Sequence, residues 1–141
     1  MSITLHLTDT RYTVASLPLP DFAAVLDAVR SAPDFVSLTR DKAEVTLIVT
    51  QEVWHQIAAQ FPEAKAQENW RMIFFDTVMD FTVVGFIAEI SRALAREGIS
   101  ILTVSTYSTD AVLVNENRYD AAVAAVKRAL ITFQYTHLSQ H

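Results

Sequence analysis

The sequence predicts an α+β fold built from two similar consecutive units, each with the element order β-α-β-β-α. Three observations lead there. Apolar residues recur with the helical period in four segments and with the strand period in the segments between them. Turn and cap residues fall at the joints: Pro18, Pro20, Pro33, Pro62 and Gly98. A faint internal repeat places similar residues at equivalent points of the two halves.

The elements follow in order. Ile3, Leu5 and Leu7 alternate with Thr4, His6 and Thr8, as in a half-buried strand. Thr8-Asp9-Thr10 reads as a turn and Tyr12–Leu17 as a second strand, ended by Pro18 and Pro20. Asp21 is placed as the N-cap of a helix whose apolar stripe is Phe22, Val25, Leu26 and Val29. Phe35–Thr39 and Val45–Thr50 are strands joined by the charged turn Arg40-Asp41-Lys42. Gln51–Phe61 is helical, and the polar stretch Glu63–Asn69 is the expected linker.

The second half repeats the order. Trp70–Val78 is a strand, and Val84–Glu97 a helix with Ile87, Ile90 and Leu94 inward and Gly98 at its C-cap. Ile99–Thr106 and Asp110–Val114 are strands joined at Tyr107-Ser108-Thr109. Tyr119–Ile131 is a helix, and Thr132–Leu138 reads as a last strand. Asp21-Phe22 answers Asp80-Phe81, Thr39 with Glu44 answers Ser105 with Asp110, and Leu47-Ile48 answers Leu113-Val114. This is a duplicated ferredoxin-like plan, two βαββαβ units with antiparallel sheets and helices on one face. The expected division is 1–65 for a degenerate first unit and 66–141 for the second.

Composition narrows the function. The 141 residues carry 11 Lys+Arg against 16 Asp+Glu, a formal net charge of -5, with no basic block. That argues against nucleic acid and anionic membrane as partners. The absence of Cys removes disulfides and thiolate chemistry. No nucleophile elbow, zinc-protease motif or phosphate loop is present, and the four histidines share no metal-ligand spacing. No cofactor, metal or catalytic residue is expected. Met1–Tyr12 carry no leader pattern and no apolar run spans a bilayer, so the chain reads as cytoplasmic.

One constellation remains. Asp80, Phe81, Thr82, Val84 and Gly85 lie where a strand gives way to a helix, whose free N–H groups favour a carboxylate. Gly85 offers no side chain to block a ligand, and Asp80 could pair with an ammonium group. Ser105, Thr106, Tyr107 and Asp110 cluster at a tight turn between strands, where Asp110 would supply a second anion. The plainer readings are capping by Asp80 or Thr82, close packing at Gly85 and turn bonding by Asp110.

The segments Phe81-Thr82-Val83-Val84-Gly85-Phe86-Ile87-Ala88, Leu94-Ala95-Arg96-Glu97-Gly98-Ile99-Ser100-Ile101 and Ser105-Thr106-Tyr107-Ser108-Thr109-Asp110, with Leu113-Val114, resemble an ACT domain. The type is that of aspartate kinase regulatory parts and the CASTOR arginine sensors. The first half resembles it more weakly, through Leu17-Pro18 and Ser37-Leu38-Thr39-Arg40 with Glu44, and lacks the helix-start glycine. The resemblance implies amino-acid binding where units meet, between the loop before the first helix of one unit and the facing strand of its neighbour. It also implies regulation without catalysis. The expectation is therefore a cytoplasmic homodimeric sensor of a free amino acid or related small molecule, with a ligand-free oligomerisation module as the alternative.

Overall fold

The computed structural model describes residues 3–77 and 84–138. Its elements run β1 (Ile3–Leu17), α1 (Phe22–Val29), β2 (Val36–Arg40), β3 (Val45–Thr50), α2 (Gln51–Ile57), β4 (Lys65–Thr77), α3 (Phe86–Arg96), β5 (Ile101–Ser105), β6 (Thr109–Asn115) and α4 (Tyr119–Leu138). Contacts divide the chain into two compact units. One is Thr10–Trp70; the other combines Met1–Asp9 with Arg71–His141.

Within Thr10–Trp70 the strand order is β2-β3-β1-β4, with β1 antiparallel to β3 from Tyr12↔Thr50 to Leu17↔Val45 and β2 antiparallel to β3. Ala15, Leu17, Val45, Leu47 and Val49 face α1 and α2, which contribute Val25, Val29, Trp54 and Ile57. Period-two alternation on the strands and the helical stripe meet in one core, each large side chain adding about 1.5–3 kcal/mol. Leu26, expected in the stripe of α1, is 49% exposed, and Asp21 makes no side-chain cap bond. The chain enters α1 through a single 3-10 turn, Leu19–Asp21, in which the Asp21 N–H donates to the Pro18 carbonyl at 3.0 Å. The hairpin turn after β2 is closed by Asp41, whose Oδ1 accepts from the Ala43 and Glu44 N–H groups at 2.7 and 2.9 Å. Those two bonds hold its carboxyl below the usual carboxylate range.

The second unit repeats the plan in the order β1-β4-β6-β5, with β5 antiparallel to β6 from Ile101↔Val114 to Ser105↔Asp110. In the first unit β1 lies between β3 and β4; in the second β4 lies between β6 and β1, so that β1 fills the place of a fourth strand in the ferredoxin-like arrangement. Ile73, Phe75, Val112 and Val114 pack against Phe86, Ile90 and Leu94 of α3 and Ala122, Val126 and Phe133 of α4. Gly98 ends α3 at φ 68°; its N–H reaches the Ala95 carbonyl and that of Ile99 the Leu94 carbonyl, both at 3.0 Å. A left-handed residue here is what glycine supplies at a helix C-terminus.

Three sequence expectations change. The turn at Thr8-Asp9-Thr10 does not form, because β1 is one strand of 15 residues. No Gly, Pro or Asn sits there to set turn geometry, and threonines suit a strand. The linker Glu63–Asn69 is largely strand, since β4 begins at Lys65. Asn69 is its irregular point, at φ 63° with its N–H donated to Gln51 Oε1 at 2.9 Å. Thr132–Leu138 is the last part of α4, a helix of 20 residues, not a strand. Leu130 and Phe133, three apart and both buried, continue its stripe. The edge position that strand would take beside β4 belongs to Ile3–Asp9. Each long strand gives one part to each compact unit.

Candidate functional site

The site residues that can be located lie in the unit containing α3. Asp80, Phe81 and Thr82 lie outside the described residues. α3 starts beside the C-terminal part of β4, where the rings of Phe75 and Phe86 meet edge-to-face with centroids 5.0 Å apart. The helix runs to Arg96, the chain turns at Gly98, and β5 returns in the opposite direction. That path carries the turn after Ser105 back toward the end of the sheet where α3 begins.

Gly85 is the N-cap of α3 and adopts φ 88°, ψ 2°, with no side-chain cap bond. Its carbonyl accepts the Glu89 N–H at 3.0 Å, closing the first turn. A Cβ added at Gly85 would have no heavy atom within 4 Å. Close packing is therefore not what requires glycine; the left-handed backbone is. Gly85 itself brings no capping side chain to the first N–H groups of α3, which carry the helix's partial positive charge. Val84, before it, is 80% exposed, and Phe86, after it, is 3% exposed in the core.

The turn between β5 and β6 supplies the polar groups. Ser105 and Asp110 form the last ladder pair, and Ser105 Oγ donates to Asp110 Oδ1 at 2.6 Å. The turn itself is closed by Thr106. Its N–H donates to the Thr109 carbonyl at 2.8 Å, and its Oγ1 accepts the Thr109 N–H at 3.2 Å. Turn closure thus does not use the Asp110 side chain, whose Oδ2 accepts no bond from a described residue. Tyr107, at the tip, is 85% exposed. Ser105, Thr106 and Asp110 are brought together as one cluster.

The repeat aligns differently from the sequence match. Arg40↔Val45 is the last ladder pair before the first unit's turn, as Ser105↔Asp110 is in the second. Val45, fully buried, therefore occupies the place of Asp110, and Glu44 lies within the turn. Glu44 Oε2 accepts from Ser16 Oγ at 2.8 Å. The first unit has neither the helix-start glycine nor a carboxylate on the matching strand position.

Sequence reading missed Arg71. Its side chain is 12% exposed, one Nη2 donates to the Thr8 carbonyl at 2.6 Å, and the guanidinium lies 3.7 Å from the centroid of the Tyr119 ring. Its Nε is buried with no partner among the described residues. The available signal was an arginine inside the apolar run Trp70–Phe75, where a charge persists only if it is paired or stacked. His55 on α2 and Glu68 on β4, also unforeseen, are hydrogen-bonded. Among the described residues no group of His, Asp and Glu could hold a metal ion.

Residues 65–128 match the family model of the ACT domain. Over 92% of its length the chain has the fold of solved aspartate kinase regulatory subunits. It is similar to the ligand-free regulatory subunit of aspartate kinase from Thermus thermophilus, with 17% identity, TM-score 0.64 and 97% of that chain covered. It is also similar to a crystallised Agobacterium tumefaciens protein, with 22% identity, TM-score 0.70 and 90% of that chain covered. Against Clostridium acetobutylicum aspartate kinase, described as an allosteric enzyme, identity is 15% and TM-score 0.69, and the chain spans 34% of that protein. Among curated proteins none matches the chain in sequence.

Proposed function

We propose that this chain is a non-catalytic regulatory module that binds a free amino acid and works as a cytoplasmic homodimer. The regulatory, ligand-binding class is that of the ACT domain at residues 65–128 and of the aspartate kinase regulatory subunits that share the fold. The observation that carries the ligand assignment is the Ser105–Asp110 pair at the end of the sheet where α3 begins at a glycine N-cap. The N–H groups at the start of α3 suit a carboxylate, and Asp110 Oδ2 suits an ammonium group. No helix among the described residues is long and apolar enough to cross a membrane.

The test is a thermal-shift screen of the common amino acids, followed by calorimetry of the hit. A ligand at a hundred times its Kd stabilises the fold by about 2.7 kcal/mol, several degrees at this size. Asp110→Asn removes one charge-assisted bond at little change of shape and should weaken binding roughly ten- to a hundredfold. Glu44→Gln, in the unit whose matching strand position is Val45, should leave binding unchanged. A flat screen up to tens of millimolar favours the ligand-free oligomerisation module instead. Binding lost in Glu44→Gln and kept in Asp110→Asn would move the site to the other unit.

A further inference from the structure

A groove of about 280 Å³ runs between α3 and α4 within the second unit, lined by Glu89, Arg92, Ala93, Arg96, Glu97 and Arg128 among others. The α3 residues 89, 92, 93 and 96 form one stripe at the spacing i, i+3, i+4, i+7. Glu89 Oε1 accepts from Arg92 Nη1 at 2.8 Å, and Glu97 Oε1 lies 3.4 Å from Arg128 Nη2. Arg96, exposed at the other end of the stripe, makes no ion pair among the described residues. Small residues, Ala93, Ala125 and Ala129, floor the groove.

We propose that a second copy of this chain docks on this groove, its α3 antiparallel to the first, so that Arg96 of each copy meets Glu89 of the other. This deepens the homodimer reading above by naming the surface. The stripe is self-complementary. A two-fold axis between residues 92 and 93 sets 89 against 96 and 92 against 93 of the opposite copy. Glu89 and Arg96 are seven residues apart, about 10.5 Å along the helix, so both cross-pairs form at once. Glu89 engages Arg92 through Oε1 and keeps Oε2 for the partner's Arg96. Ala93 leaves room for the partner's Arg92 at the close approach of about 8–10 Å between helix axes. A small anion or a uniformly acidic partner would meet Glu89 or Glu97. A symmetric copy presents the opposite sign at each end.

The test is sedimentation of the full-length chain and of two charge reversals. The parent should be a dimer. Glu89→Arg and Arg96→Glu should each be monomeric, with self-association weakened about a hundredfold or more, because each sets like charges opposite one another twice. An equimolar mixture of the two variants should recover the dimer, since Arg at 89 of one copy then meets Glu at 96 of the other. That recovery also shows that both variants fold. Should a reversal fail to fold, Arg96→Ala and Glu89→Gln should each weaken the parent dimer several-fold. A dimeric parent unaffected by any of these changes, or a mixture that stays monomeric, overturns the proposed surface and leaves association elsewhere. A monomeric parent at high micromolar concentration overturns the homodimer reading itself.

Discussion

Gly85→Ala isolates what the helix start demands. At φ 88° an L-residue is in the left-handed region, a cost of about 1–2 kcal/mol. Nothing lies within 4 Å of the new Cβ, so no packing term adds to it. Alanine also restricts the unfolded chain, which offsets about 0.4–1 kcal/mol. The net loss is about 1 kcal/mol, a fall in Tm of roughly 3–4 °C for a chain of this size. Gly85→Asn should cost less than alanine, because asparagine tolerates the left-handed region, and Gly85→Val should cost more. Thermal melts of the three variants check this order. A Gly85→Ala protein as stable as the parent, or more stable, would refute the backbone argument. So would an asparagine variant as damaged as the valine one, since side-chain size would then decide.

Phe86→Ala should lower stability by about 3–5 kcal/mol in denaturant melts, because the ring is 3% exposed between Phe75 and Phe133 at 5.0 and 5.5 Å. Arg71→Met removes the bond to the Thr8 carbonyl and the stacking on Tyr119; hydrogen exchange should then lose protection at residues 3–9 before the rest of β1. Burial, and then the charge of Asp34, push the Tyr12 hydroxyl up to about 12. The folded state holds that proton more tightly than the unfolded one, so its stabilisation is complete below pH 10 and lost as pH rises toward 12. Melts across this window should fall less steeply in Tyr12→Phe than in the parent.

Local periodicity was enough for most elements. Val45–Thr50 is a strand with the bounds read from the sequence, and the stripe Ile90 and Leu94 is the buried face of α3. These are short-range patterns whose period matches one element, and Gly98 marks a helix end because few other residues adopt its φ. The site was legible as residue types: the turn Ser105–Asp110 joins two strands as read, whereas Gly85, read inside the first turn of a helix from Val84, is a left-handed N-cap and α3 starts at Phe86. Which hydrogen bonds they make was not. Thr106 closes the turn that sequence left to Asp110, and Ser105 pairs with Asp110, because the ladder register decides which side chains face across the turn. The same register sets Val45, not Glu44, at the Asp110 position, a shift of one residue that no short repeat match could detect. Strand partnership also lay beyond the sequence. Ile3–Asp9 completes the unit formed mainly by the far end of the chain, so α4 is free to continue through Thr132–Leu138. An edge strand is chosen by what packs beside it, and its contacts come from the other end of the chain.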